Sequence, residues 1–241
     1  MSISISLTCF NRHFTPSWLM TLLAFVFIVL FVKLGFWQIQ RGQEKNKMLV
    51  AQASMQRQPA QIWQTETALP KQYQPLIVQG QFLPTLFYLD NQHHDHQFGY
   101  HIISPLLLDN NKVLLIDRGW MKGDMNRSKL PAVTIPQGKI RVKGAAWYPS
   151  AGMWALGPEI DKRSGNVAVI ESVKLDLVSQ FLQKTVYPFI IRLDAKAEAG
   201  FVRQWPVVAM LPAKHYAYAF QWFAMALVIV ILYVALNLKK K

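Results

Sequence analysis

The sequence of 241 residues contains a single cysteine, Cys9. One thiol excludes an intramolecular disulfide, a cluster of thiolate metal ligands and a C-x-x-C redox pair. Cys9 also precedes the first long apolar run, on a short tail without a predicted fold around it. We therefore do not expect it to act as a catalytic nucleophile.

Charged residues are scarce too, at 16% of the chain against about 25% in an ordinary soluble domain. Acidic residues are the scarcer kind, because the chain has 13 of them against 26 basic residues, which gives a net charge of +13. Such an excess favours anionic lipid head groups, acidic partners or an anionic ligand. Nucleic acid is not a predicted partner, since the sequence has neither a basic helix nor an RNA-binding motif.

The usual motifs of catalysis are missing as well. No serine lies in G-x-S-x-G, no pair of carboxylates marks a cleft, and there is no glycine-rich loop for phosphate. The sequence therefore predicts a protein that is not an enzyme.

Two long apolar runs are present, one near each end. The first runs from Trp18 to Trp37, which is about the length that crosses a hydrocarbon core of roughly 30 Å. Its one charge, Lys33, is close enough to the end for the side chain to reach the interface. The second runs from Tyr216 to Leu236 without a charge. We predict transmembrane helices at 17–37 and 214–237, the first being an uncleaved anchor rather than a signal peptide.

Basic residues set the predicted orientation. Lysines occupy positions 239–241 and the N-terminal tail carries Arg12 without an acid, a pattern typical of cytoplasmic segments. We therefore expect cytoplasmic tails at 1–16 and 238–241 and a periplasmic domain at 38–213. The absence of a recognisable mitochondrial transit peptide favours a bacterial inner membrane. This topology brings Trp37, Gln38 and Arg41 to the membrane depth of His215.

The region between the helices is predicted to be one domain. Gln43 to Ser54 continues the first helix as a polar helix, and Glu171 to Gln183 is amphipathic, with Leu175, Val178, Phe181 and Leu182 toward the core. Short β-rich runs separated by turn residues lie at Pro75–Phe82, Phe87–Asp90, Tyr100–Leu108, Lys112–Arg118, Lys139–Trp147, Asn166–Ile170 and Tyr187–Leu193. The predicted fold is an α+β membrane protein, in which two terminal transmembrane helices flank a small antiparallel, partly barrel-like sheet with one or two helices.

Histidines cluster once in this domain, at His93, His94 and His96 around Asp95, with His101 nearby. Imidazole and carboxylate groups suit zinc or copper. Adjacent residues rarely converge on one ion, however, and a solvated loop between two strands explains the run equally simply. We therefore predict no metal site.

The second membrane helix opens with His215, and Tyr218 and Trp222 follow at i+3 and i+7 on the same helical face. An ionisable residue at membrane depth suggests a function. A neutral imidazole there can bind a haem iron. The alternative is an interfacial histidine within an aromatic belt.

On the first helix, Lys33, Trp37 and Arg41 share a face at i, i+4 and i+8. Gly35 allows a helix or a ring to approach closely. The two cations can pair with carboxylates such as haem propionates, or they can simply anchor the helix at the interface.

Arg118-Gly119-Trp120 ends a strand that begins at Val113. The tripeptide is interpreted either as a rigid turn, with the arginine paired to Asp117 or Asp124, or as a binding element.

Several of these motifs, in order, resemble the Surfeit locus protein 1 family of cytochrome c oxidase assembly factors. The segment from Leu34 to Arg41 resembles the family's L-G-x-W-Q-x-x-R at the end of its first helix. The remaining motifs are Gly80-Gln81-Phe82, Gly99-Tyr100-His101 with Ser104-Pro105-Leu106, the strand ending in Arg118-Gly119-Trp120, and His215 with Tyr218-Ala219 and Gln221-Trp222. The resemblance spans most of the chain.

The resemblance implies a membrane protein that binds haem a and helps to insert it into cytochrome c oxidase subunit I, with haem a synthase and membrane lipid as further partners. By position, His215 is implied as the axial ligand, with Trp37, Arg41, Tyr218 and Trp222 around it. Two alternatives stay open: a scaffold for oxidase subunits without a cofactor, and a periplasmic metal-dependent enzyme that uses the histidine run.

Overall fold

The computed structural model describes residues 12–149, 160–198 and 200–240. Cys9, most of the N-terminal tail and Lys241 lie outside the described residues. The chain divides into two compact units. The first consists of the segments up to Val50 and from Val207, and the second runs from Ala51 to Pro206.

The described residues form three helices and eleven strands. The helices are α1 (Trp18–Gln56), α2 (Leu175–Leu182) and α3 (Pro212–Asn237). The strands are β1 (Arg12–Phe14), β2 (Gln61–Ile62), β3 (Pro75–Phe82), β4 (Leu86–His94), β5 (Gln97–Leu107), β6 (Val113–Lys122), β7 (Lys139–Trp147), β8 (Ile160–Ser164), β9 (Val167–Ile170), β10 (Val186–Leu193) and β11 (Leu238–Lys240).

Helices α1 and α3 make up most of the first unit. Each is long and apolar enough, by length and composition, to be a candidate membrane span. α1 includes the polar stretch at 43–54, so its 39 residues extend for about 58 Å at 1.5 Å per residue. Only about 30 Å is needed to cross the hydrocarbon core. Pro212 starts α3 favourably, because proline lacks the N–H that a helix start leaves unpaired.

The two long helices run antiparallel. Strand β1, which precedes α1, pairs antiparallel with β11, which follows α3. Near the same end, Thr21 Oγ1 lies 2.8 Å from the hydroxyl of Tyr233. Toward the other end, Gln38 forms a hydrogen bond with His215. The start of α1 and the end of α3 therefore lie at one end of the helix pair.

The second unit is built on a nine-stranded sheet that closes on itself. The strand order is β2-β3-β7-β10-β6-β5-β4-β9-β8, and β3 also pairs with β5. The pairings from β3 through β7, β10, β6 and β5 back to β3 thus form a ring of five strands. This arrangement confirms the prediction of a barrel-like domain.

The prediction of an antiparallel sheet is wrong, because the sheet is mixed. Strand β10 runs parallel to β6, β9 parallel to β4, and β2 parallel to β3. Alternating apolar patterns show that a segment is a strand but say nothing of the direction of its neighbour. The structure of β6 agrees with a parallel neighbour, since its first eight residues, from Val113 to Trp120, are all buried. Continuous burial is typical of strands that are covered on both faces, as in parallel sheets.

The two faces of β6 explain that burial. Leu114 and Ile116 point into a cluster that draws residues from all five strands of the ring and therefore fills its interior. Val113 and Leu115, on the opposite face, belong to a second cluster that includes Val178 of α2. The other members of the interior cluster include Leu76, Val78, Phe82, Leu106, Val142, Phe189 and Ile191.

Helix α2 covers the outer face of the ring. Val178 is buried, while Leu175, Phe181 and Leu182 pack partly buried against the second cluster, as their helical spacing predicted. Phe181 makes an edge contact with Phe87 of β4, with ring centroids 5.3 Å apart.

Candidate functional site

One stripe of α1 carries the contacts with α3 in the first unit. Phe31, Gly35, Gln38 and Gly42 lie at i, i+4, i+7 and i+11, the spacing of a single helical face. Gly35 and Gly42 are the buried residues of α1. An added Cβ at Gly35 would lie 2.6 Å from the ring of Phe223, and one at Gly42 would lie 2.7 Å from the ring of Tyr216. Glycine at both positions therefore lets these rings contact the backbone of α1 directly, as we predicted for Gly35.

His215 meets this stripe at Gln38. The Nδ1 atom of His215 lies 2.8 Å from Oε1 of Gln38. Since an amide oxygen can only accept, Nδ1 carries the hydrogen and donates it. In the neutral ring, the lone pair is then on Nε2.

The Nε2 atom of His215 is buried and has no hydrogen-bond partner among the described residues. A buried polar atom without a partner is uncommon and calls for an explanation, because leaving it unpaired costs about 1–3 kcal/mol. His215, Gln38, Phe31 and Trp222 together are called the helix-pair site below.

Trp222 belongs to this site, whereas Tyr218 does not. The Trp222 ring packs on Phe31 of α1, with ring centroids 5.6 Å apart. Tyr218 is exposed over 44% of its surface. The i, i+3, i+7 spacing predicted a common face, and the first and last members of the trio contact α1.

Trp37 and Arg41 lie on a neighbouring face of α1, away from the stripe that meets α3. Trp37 is 48% exposed. The Arg41 guanidinium lies 5.9 Å from the Trp37 ring and pairs with Glu44, at 2.9 Å, on the exposed surface. Lys33 is exposed as well. The structure therefore brings two of the five predicted site residues, His215 and Trp222, against α1, and the other three flank them.

Gln38 and Phe31 had no predicted role of their own. Gln38 was expected only at the membrane depth of His215, and here its amide is the direct partner of that ring. The signal for both residues lay in their spacing with Gly35 and Gly42, since small residues at helical intervals mark the contact face of a helix pair.

The histidine run of the second unit lies at the turn of a hairpin. His93 and His94 end β4, and Asp95 and His96 form the turn with positive φ angles of 47° and 61°. His94 Nε2 lies 3.3 Å from the Asp95 carboxylate. No group of three or more His, Cys, Asp or Glu side chains that could hold a metal ion occurs in the part of the chain that the structure describes.

Arg118 is buried beside the ring of strands. Its guanidinium donates to the carbonyl of Thr134 at 3.0 Å and lies over the rings of Phe82 and Phe201. Burial lowers its pKa from the usual value, because the charged form loses water. Asp117, one of the two partners considered for it, accepts a hydrogen bond from Nδ1 of His101 at 3.0 Å.

The SURF1 family model matches residues 25–227. The chain belongs to the SURF1 family. The match runs from within α1, through the entire β-rich unit, into α3, so all four residues of the helix-pair site lie inside it.

Three SURF1-like proteins of Rickettsia are similar to this SURF1 family member over most of its length. The protein of Rickettsia felis is 25% identical, covering 88% of this chain and 94% of the relative. That of Rickettsia conorii is 24% identical, covering 88% of each chain. That of Rickettsia bellii is 26% identical, covering 89% of this chain and 88% of the relative.

Membership confirms the resemblance that was inferred from the motifs. The SURF1 family is generally associated with the assembly of cytochrome oxidase. The two candidate membrane helices agree with a membrane-associated member of the family.

Proposed function

We propose that this SURF1 family protein carries haem a at the helix-pair site and helps to place it in subunit I of cytochrome c oxidase. One observation carries the proposal: Nε2 of His215 is buried and has no partner among the described residues. An imidazole nitrogen with a free lone pair is the atom that binds haem iron in many proteins.

The surroundings of His215 support a ligand role. Histidine ligands generally donate their second ring N–H to an acceptor, which fixes the tautomer and the ring orientation. Gln38 supplies that acceptor at 2.8 Å. The rings of Phe31 and Trp222 give the flat, apolar contacts that a porphyrin favours.

Arg41 is the cation that we assign to a haem propionate. Its present partner, Glu44, is 44% exposed, and exposed ion pairs contribute only about 0–1 kcal/mol. Exchanging Glu44 for a propionate therefore costs little. Trp37, beside Arg41, and Tyr218 are then wall residues that a bound haem would cover.

In this proposal the protein is a carrier and not an enzyme. The haem, once installed, supplies the redox chemistry of the finished oxidase. The residues of this chain hold and release it without breaking a bond. By chemistry, the donor is the enzyme that makes haem a, haem a synthase, and the acceptor is oxidase subunit I.

The proposal includes the topology, with both termini in the cytoplasm and the β-rich unit in the periplasm of a bacterium. It is supported by the antiparallel helix pair, in which β1 and β11 meet at one end. The test is labelling of His96→Cys in a Cys9→Ser chain, because His96 lies on an exposed turn. A membrane-impermeant maleimide should label it in intact spheroplasts, and labelling only after permeabilisation would contradict this topology.

Haem binding is tested on protein purified from cells that make haem a. We expect the wild-type protein to contain haem, with a low-spin histidine-ligated spectrum, and His215→Ala to lack it. His96→Ala is the matched control, since it removes an exposed imidazole elsewhere in the chain, and it should keep the haem. Oxidase assembly should fail in the His215→Ala strain.

Two results would overturn the proposal. Haem-free wild-type protein from such cells is one. Normal oxidase assembly with His215→Ala is the other, and it would favour the scaffold without a cofactor, because a scaffold needs the helices and the domain but no axial ligand.

A further inference from the structure

A cavity of about 200 Å³ opens in the β-rich unit between the ends of strands β4, β5, β6 and β10. Its lining includes His94, His101, Trp120, Arg192 and Trp205. It is smaller than the roughly 300–1,000 Å³ of pockets that enclose a drug-sized ligand. A small molecule, or one end of a larger one, is therefore the occupant that fits.

Arg192 is the cation of this cavity, and its hydrogen-bond donors are not used by any residue that the structure describes. Its guanidinium carbon lies 3.5 Å from the centroid of the Trp147 ring and 5.3 Å from that of Trp205. Its Nε atom is buried and has no hydrogen-bond partner among the described residues. No hydrogen bond joins this guanidinium to any residue that the structure describes. Burial lowers the pKa of Arg192, because the charged form is disfavoured away from water.

The carboxylate of Asp117 lies beside Arg192 but is bound by other groups. Asp117 faces Arg192 in the parallel register of β6 and β10. Both of its oxygens lie 3.0–3.1 Å from Nδ1 of His101, and Oδ1 also accepts from the backbone N–H of Gly119. Asp117 thus weakens the positive field at Arg192 but leaves the donors of the guanidinium free.

His101 lines the cavity with its other nitrogen available. Because Nδ1 donates to Asp117, Nε2 is the ring atom left for a ligand. The His101 ring also packs on Trp205, with centroids 5.3 Å apart, and His94 packs on Trp120 at 5.1 Å. The cavity therefore combines a cation, imidazole groups and two indole walls.

We propose that this cavity binds the carboxylate of a small, flat molecule, with Arg192 as the cation and with Trp120 and Trp205 as the apolar walls. The guanidinium is planar and its paired N–H groups match the two oxygens of a carboxylate. The indole walls favour an aromatic or conjugated body over a bare inorganic anion. All the residues that line this site belong to the second unit.

The test uses the full-length protein in detergent and three probes: benzoate, its uncharged isostere benzamide, and inorganic phosphate. Binding is measured by isothermal titration calorimetry. We expect saturable benzoate binding in the millimolar range or tighter, with benzamide and phosphate at least tenfold weaker. Arg192→Gln should weaken benzoate binding at least tenfold.

Arg141→Gln is the matched control, because Arg141 is an exposed arginine on β7 that does not line this cavity. It should leave benzoate binding unchanged. Equal losses in both variants would show a general effect of net charge and would overturn the site. Equal affinity for benzoate and benzamide, stronger binding of phosphate, or no binding of benzoate by the wild type would overturn it as well. If Arg192→Gln does not fold, as judged by circular dichroism, the comparison of the three probes on the wild type decides.

Discussion

Replacing Gln38 by leucine tests the geometry around His215 most directly. Leucine is similar in volume to glutamine but cannot accept a hydrogen bond, so Nδ1 of His215 loses the partner that it has at 2.8 Å. The ring is then free to turn and to move its proton to Nε2. That tautomer has no lone pair on the nitrogen that we assign to the haem iron.

The size of the effect follows from the kind of bond that is lost. Removing the outer partner of a ligating histidine typically weakens metal binding about 10–100-fold, or about 1.4–2.7 kcal/mol. The bond here is between neutral groups, and such bonds contribute a net of about 0.5–1.5 kcal/mol. The lower end of the range is therefore expected, and we predict about tenfold weaker haem retention in Gln38→Leu.

Two measurements on the same variant separate the steps of this reasoning. Transfer of haem to apomyoglobin reports retention, and ¹⁵N spectra of histidine-labelled protein report which nitrogen of His215 carries the proton. Gln40→Leu is the matched control, because Gln40 is an exposed residue of the same helix. If Gln38→Leu matches Gln40→Leu in both measurements, the reasoning is refuted. A changed tautomer with unchanged retention would show that His215 is not the ligand.

Two further predictions concern the β-rich unit. Phe189 is fully buried inside the ring of strands, so Phe189→Ala should cost about 3–5 kcal/mol and lower the melting temperature by roughly 6–20 °C. Met125→Ala, at an 81% exposed position, should change it little, and equal melting temperatures by circular dichroism would contradict the assigned core. Burial raises the pKa of Tyr88, whose hydroxyl donates to the Pro131 carbonyl at 2.8 Å, so the folded state keeps a proton that the unfolded state loses near pH 10. The free energy of unfolding should therefore fall as pH rises from about 8 to about 11, and the fall should be smaller in Tyr88→Phe.

The strands that are covered on one face only were the easiest part of the fold to predict. Strands β3 and β7 were predicted to the residue, and in each of them more buried residues alternate with more exposed ones. Strand β8, at Ile160–Ser164, was not predicted, since four of its five residues are polar. The parallel pairing of β10 with β6 could not be inferred either, because it depends on where the chain returns after α2 and on no local pattern.

The candidate site was likewise predicted only in part. The predicted topology and helical spacing correctly placed His215 and Gln38 together. The topology follows from the length of the apolar runs, and the spacing follows from the helical period. The rotation of each helix about its own axis is decided by packing, here by rings set against Gly35 and Gly42. That rotation put Trp37 and Arg41 on a flank rather than in the contact. The cavity around Arg192 escaped prediction because its lining combines the consecutive strands β4, β5 and β6 with β10 and residues 202–206, which come much later in the chain.

The position of β10 has a consequence for how the protein is made. This strand lies between β6 and β7, pairing with one on each side, yet it is synthesised more than 35 residues after β7 ends, as Lys139–Trp147 precedes Val186–Leu193. Until the ribosome has passed Leu193, β6 and β7 each present an unpaired edge, and such edges attract other strands. Pairings between distant segments also form slowly. The growing chain is therefore exposed to aggregation and proteolysis until β10, its last barrel strand, has been synthesised. This happens shortly before α3 is made.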